Sequence, residues 1–189
     1  MKFEFVSDFD IRISDLFARV LSNLQIYTKE DRKLIQIDIP GWGNMEIENV
    51  VLDLNGTLAT DGKIPSEVKK KISSLAGRVK IYVLTADTQG TATEEIHEMK
   101  VELIKIEGKD SKEGKFNFLK SLDLEKTAAM GNGNNDQLIL KEAALGIAIL
   151  GDEGISVTAL KQADIMVRNI FDALDLLLKP KRLMATLRE

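Results

Sequence analysis

Cysteine is absent from the 189 residues, and histidine occurs once, at His97. The first absence removes disulfides, thiol nucleophiles and zinc–thiolate centres; the second removes metal sites built on clustered imidazoles. Tryptophan also occurs once, at Trp42, and aromatics make up only 5% of the chain. No apolar run approaches the roughly 18 residues that a membrane span needs. The opening MKFEFVSDFD carries acids where an export signal needs an apolar stretch. Basic residues number 26 against 30 acidic ones, a net charge of −4, so there is no basic footprint for nucleic acid. These absences point to a cytoplasmic protein with neither a membrane nor a nucleic-acid partner. Its chemistry is left to carboxylates, hydroxyls, amides and lysine.

What is present is a globular balance, 44% apolar and 30% charged, in a length that suits one domain with an appendage. Residues 11–27, IRISDLFARVLSNLQIY, place apolar side chains at 13, 16, 17, 20, 21 and 24, the period of an amphipathic helix. KLIQIDIP alternates as a half-buried strand, PGWGN makes a turn, and MEIENVVLDL leads into a more continuously apolar strand. Residues 34–54 therefore read as a hairpin feeding a central strand. The helical segments that follow are SEVKKKISSLAG (Ser66 as N-cap, Gly77 as stop), TATEEIHEMK, GKFNFLKSLD, DQLILKEAA, ISVTALKQA and IFDALDLLL. They alternate with the strands VKIYVLT, VELIKI, TAAMG, LGIAIL and DIMV. The basic tail KPKRLMATLRE is expected as a short solvated helix after Pro180. Such alternation specifies an α/β fold of three layers, a Rossmann-like parallel sheet with helices on both faces. A helix-and-hairpin extension over 1–47 precedes a core over 48–189. Parallel strands bring their carboxyl ends to one edge, where such folds bind ligands.

Four features gather at that edge: Asp53-Leu54-Asn55-Gly56-Thr57, then Thr85-Ala86-Asp87, a lysine at the start of a helix, and GNGNND over 131–136. A carboxylate at a strand end can attack phosphorus and split a hard step into two. Glycine lets backbone N–H groups approach phosphate oxygens. Hydroxyl and ammonium donors stabilise charge developing there. Acidic and amide oxygens suit Mg²⁺, which takes hard ligands. Each feature also has a plainer reading. Asn55-Gly56 between apolar residues is a hairpin signal, Thr85 can be a helix cap, and GNGNND is rich in turn formers. His97 reads as a surface residue and Trp42 as a hairpin packing or interface residue. Lys109, Lys112 and Lys115 lie too close together for spacing alone to choose between them.

In order and context these residues resemble the haloacid dehalogenase (HAD)-like superfamily of phosphohydrolases. Its first motif is Asp-x-Asp-x-Thr, followed by Ser/Thr, Lys and an acidic Gly-Asp-Gly-x-x-Asp loop. Over about residues 48–170 the chain is most similar to the phosphorylation domain of P-type ATPases, through LTADT, GNGNNDQLILKEAALGIAIL and ALKQADIMV. With no transmembrane segment, it resembles the small soluble P-type-ATPase-like phosphatases rather than a pump. The resemblance implies that Asp53 is the nucleophile and a Mg²⁺ ligand, and that Asn55 offers its backbone carbonyl to the metal. Asn55, Gly56, Thr85 and the Ala86 amide would bind phosphate, Lys115 would neutralise it and hold Asp53, and Asn132 and Asp136 would serve the metal, with Asn135 nearby. Lys115 is preferred because its helix starts at the spacing from GNG that the resemblance expects.

Two positions depart from the pattern. Asn55 stands where the superfamily's phosphatases carry an acid/base Asp, a group worth roughly 10²–10⁴-fold. Asn132 stands where the metal loop begins with Asp. The expectation is a Mg²⁺-dependent phosphohydrolase with slow dephosphorylation and weaker metal binding, acting on a phosphorylated substrate. The alternative is a regulatory module that binds phosphate or a protein partner. The intervals Asp53–Thr85 and Thr85–Lys115, 32 and 30 residues, leave no room for a cap domain. An open site suits a large substrate or a lid from a second subunit, and residues 1–47 are the candidate homo-oligomer contact.

Overall fold

The computed structural model describes residues 33–86, 91–107 and 110–189. The helix expected over 11–27 lies outside these, as do Asp87 and Lys109. Within Lys33–Glu189, one compact unit, β1 (Ile35–Ile39) and β2 (Gly43–Ile47) pair antiparallel as a separate two-stranded hairpin. The alternation in IQIDI buries Ile35, Ile37 and Ile39 and leaves Gln36 and Asp38 exposed. Trp42, at the turn, is 46% exposed.

The remaining strands are β3 (Asn49–Asp53), β4 (Lys80–Thr85), β5 (Glu102–Lys105), β6 (Thr127–Gly131), β7 (Leu145–Ile149) and β8 (Ile165–Val167). They form one all-parallel sheet in the order β5-β4-β3-β6-β7-β8. The central strands β3, β6 and β7 are buried at every residue, which is why their sequences read as continuous apolar runs. Between them run α1 (Ser66–Ala76), α2 (Thr91–Ile96), α3 (Ser111–Lys120), α4 (Gln137–Glu142) and α5 (Val157–Leu160), and after β8 come α6 (Ile170–Leu178) and α7 (Pro180–Leu187). Period-2 alternation divides each strand between two cores. Val50, Leu52, Ile81 and Val83 join Ile72, Leu75, Leu174 and Leu177 on one face, with the hairpin's isoleucines. Val51, Tyr82 and Leu84 join Leu119 and Ile139 on the other. The sheet is therefore covered on both sides, in the expected three layers.

Three local expectations change. Ser66 is the first residue of α1; Pro65 holds the cap position, and no side chain bonds the first turn. Helix α3 starts at Ser111, ahead of the expected Gly114, because Asp110 caps it by accepting the N–H groups of Lys112 and Glu113. Helix α7 is not simply solvated: Leu183 and Leu187, one turn apart, are buried against the core. Asp175 on α6 fastens this face, accepting from Lys71 of α1, from Lys179 Nζ at 2.8 Å and from Arg182 Nη1 at 3.0 Å. Its hydrogen bonds to Lys179 and Lys71 hold its carboxyl down at about 2. Among the described residues no helix is long and apolar enough to cross a membrane.

Candidate active site

The chain runs outward from β3 to β4 and β5, then returns to β6 on the other side of β3 and runs to β8. The point of reversal lies between β3 and β6, the place where open α/β sheets form a crevice at the carboxyl ends of their strands. Asp53 ends β3, and Asn132 immediately follows β6. Because β3 pairs parallel with strands on both sides, Asn55-Gly56 is not a tight hairpin turn. The chain instead curls back, with Leu58 and Ala59 donating their N–H groups to Leu54 O at 2.9 and 2.8 Å.

Lys115, on the inner face of α3 one turn before buried Leu119, is 1% exposed. Its Nζ donates to Asp53 Oδ1 at 2.5 Å and to Asp136 Oδ1 at 2.6 Å. Asp136 is wholly buried, and its Oδ2 accepts the N–H groups of Asn132 at 3.1 Å and Gly133 at 2.8 Å. Of the three lysines that sequence could not separate by spacing, Lys115 is therefore the one between the carboxylates; Lys112 is half-buried elsewhere on the helix. Two carboxylates share one ammonium. Burial, then repulsion from Asp136, raises Asp53 to about 7 against the pull of Lys115 and Thr57. Burial alone would lower Lys115, but the two carboxylates outweigh it and hold it above its ordinary value.

Thr85 ends β4, 2% exposed, with its carbonyl accepting the N–H of Ile106 at 2.8 Å; Ala86 beyond it is exposed. Asn55 is exposed and Asn135 donates to Ser111 Oγ at 3.3 Å. His97 is exposed, as a surface residue should be. Two residues that sequence reasoning gave no role join the site. Thr57 donates from Oγ1 to Asn132 Oδ1 at 3.0 Å. Glu153, on the loop after β7, hangs over Gly56: a methyl group on Gly56 would lie 2.9 Å from Glu153 Oε2 and 2.5 Å from Asn132 Nδ2. Gly56 also has φ +75°, so glycine is required there twice over. The position of Thr57 in the Asp-x-Asn-x-Thr stretch was a signal for the first. Nothing local signals the second.

The donor set suits a hard divalent cation. Asp53, Asp136, the backbone carbonyl of Asn55 and the side-chain oxygen of Asn132 would all offer oxygen to it. Burial first and the Asp136 charge second push Asp53 upward, and a cation beside the two carboxylates would oppose both. Among the described residues, no three His, Cys, Asp or Glu side chains cluster as a ligand set, so any metal here also draws on carbonyls, amides and water.

No family model matches the chain. The uncharacterized protein MJ0073 of Methanocaldococcus jannaschii is 54% identical over 65 residues, 34% of this chain and 70% of that protein. Among solved structures, a hydrolase assigned to the HAD superfamily (subfamily III A) from Legionella pneumophila matches with TM-score 0.56 at 16% identity, over 74% of this chain and 86% of its own. The 3-deoxy-D-manno-octulosonate 8-phosphate phosphatase from Moraxella catarrhalis, in complex with magnesium ion, phosphate ion and KDO, also matches with TM-score 0.56 at 16% identity, over 75% and 94%. Identities this low carry the fold alone, and the fold they carry is that of the HAD hydrolases.

Proposed function

For a chain that belongs to one family with MJ0073 and has the fold of the HAD hydrolases, we propose a magnesium-dependent phosphohydrolase that works through an aspartyl-phosphate at Asp53. The observation that carries this reading is the buried Asp53–Lys115–Asp136 cluster at the sheet's reversal point, two carboxylates on one ammonium. Asp53 supplies the attacking oxygen. Lys115 orients it and neutralises the transferred phosphoryl group, and Thr85 and the N–H of Ala86 bind the phosphoryl oxygens; the N–H of Gly56, expected to join them, instead donates to Ala59 O at 2.9 Å. Asp53, the Asn55 carbonyl and Asp136, with Asn132 or water completing the set, would hold Mg²⁺, which when bound would neutralise charge between nucleophile and phosphate. The resemblance of GNGNND and ALGIAIL to the P-type ATPases supports, as our reading of the subtype, a soluble relative of their phosphorylation domain. A cytoplasmic site of action and a phosphorylated substrate belong to the same reading. So does assembly through residues 1–47, where exposed Trp42 is the contact offered by the described part.

Asn55 and Asn132 favour a second reading, a regulatory module that binds phosphate or a partner without turnover. The test is phosphate release from an aryl phosphate, with and without Mg²⁺, by the wild type and Asp53→Asn. Metal-dependent turnover lost in the variant supports the enzyme. Equal release by both proteins removes Asp53 as nucleophile, and no release by either favours the module. Asn132→Asp should tighten Mg²⁺, read by calorimetric titration; an unchanged affinity would remove Asn132 from the metal set.

A further inference from the structure

The loop between β7 and α5 is bonded to Asn132, just after β6, and lies close against Gly56 of the nucleophile loop. Asn132 Nδ2 donates to Gly154 O at 3.0 Å, and Asn132 O accepts the N–H of Ser156 at 2.8 Å. Gly151, at φ +54°, comes so near that a methyl group on it would lie 3.0 Å from Gly56 O. Between these anchors stands Glu153, exposed, its carboxylate over the α-carbon of Gly56. Among the described residues, no hydrogen bond or ion pair occupies that carboxylate. The residue before Gly56 is Asn55, whose amide can neither give nor take a proton in the reaction.

The two departures from the superfamily pattern flank Glu153: Asn55 adjoins Gly56, and Asn132 holds Gly154. An aspartate at 132 has no N–H to offer Gly154 O, so the loop would lose that tie. The amide that removes one charge from the metal loop is the group that fastens the loop carrying Glu153. We propose that Glu153 is the acid and base of this site, replacing the carboxyl missing at 55, with Asn132 as its positioning residue; this rests on the phosphohydrolase reading above. In the first step an Asp53 oxygen bonds to phosphorus. The bond from phosphorus to the leaving oxygen breaks with its electron pair, and protonated Glu153 gives that oxygen a proton. In the second step the Glu153 carboxylate takes a proton from water as the water oxygen bonds to phosphorus. The bond from phosphorus to Asp53 breaks, releasing phosphate and restoring both carboxyl groups to their starting states.

The experiment compares Glu153→Gln with the wild type on 4-nitrophenyl and phenyl phosphate, in Mg²⁺, with burst kinetics to separate the two steps. General acid–base assistance of ordinary size predicts a steady-state loss of roughly 10²-fold on phenyl phosphate, whose leaving group needs the proton. With 4-nitrophenyl phosphate the phosphorylation burst should persist while the steady rate after it falls. The double variant Asn55→Asp/Glu153→Gln should recover most of the loss, which a merely structural role for Glu153 would not allow. Rates within about twofold of wild type for both substrates and both steps would overturn the proposal, as would an equal fall in both bursts that Asn55→Asp does not rescue; twofold is far below the smallest acid–base effect expected. If Asp53→Asn abolishes turnover while Glu153→Gln does not lower it, the parent reading stands and this inference falls. Wild-type protein without turnover overturns both.

Discussion

Replacing Asp53 by asparagine should make the metal-free protein more stable. The carboxyl is raised from 3.8 to about 7, by burial first and by Asp136 second. The folded state thus holds the proton more tightly than the unfolded chain, and ionisation opposes folding. Stability at this site is full below about pH 4, falls between about 4 and 7, and is lost above. A difference of about 3 pKa units corresponds to about 4 kcal/mol at pH 8. Asparagine keeps an oxygen for Lys115 and carries no charge; with allowance for an imperfect amide fit, the gain should be about 2–4 kcal/mol. For a chain of this length that is on the order of 5–10 °C in Tm. The assay is urea unfolding in EDTA, followed by far-ultraviolet circular dichroism, for both proteins at pH 8 and pH 4. The advantage of Asp53→Asn should shrink to under about 1 kcal/mol at pH 4. Millimolar Mg²⁺ at pH 8 should stabilise the wild type more than the variant. A variant less stable than wild type at pH 8 in EDTA, or an advantage that does not change with pH, would refute the charge argument.

Lys115→Met leaves two buried carboxylates without their shared cation; a loss of about 3–5 kcal/mol is expected in EDTA, partly restored by Mg²⁺, with Tm as the measurement. Asp175→Asn removes a carboxyl held at about 2 by Lys179 and Lys71. It should cost about 2 kcal/mol at neutral pH, and the difference from wild type should vanish as pH falls from about 4 to 2, in denaturant titrations across that window. Gly56→Ala meets both a left-handed backbone and the Asn132 amide; a loss of about 1–3 kcal/mol, seen in the urea midpoint, should accompany slower turnover.

Much of the sheet was legible because its strands are buried on both faces. NVVLD, TAAMG and LGIAI read as apolar runs, with Asp53 and the GNGNND loop marking where two of them end. IFDALDLLL declared α6 residue for residue through its own apolar density. Caps were less legible. Asp110 starts α3 inside a lysine-rich stretch, where one more charged residue carries no distinct signal, and Pro65 holds a cap position without any side-chain bond. The tail helix misled because its charges are conspicuous and its two buried leucines are not. In the site, Asp53 at a strand end and Asp136 in the glycine loop are proposed from the sequence, and the structure brings both onto Lys115. Lys115 needed the resemblance, because helical phase alone does not reveal which lysine meets a carboxylate. Glu153 could not be read at all: it stands far along the chain from Gly56, and only packing of the two loops brings them together.

Asn49 pairs with Thr127, 78 residues further along the chain, and the register between β3 and β6 is what brings Asp53 towards Asp136. The β3–α1–β4 unit closes a much shorter loop and can form before that long closure is complete. The two carboxylates then meet only when the halves of the sheet dock, near the end of folding. Their repulsion should therefore load the unfolding rate and spare the folding rate. In stopped-flow measurements without metal, raising the pH from 5 to 8 should steepen escape from the native state, while the refolding limb stays where it was.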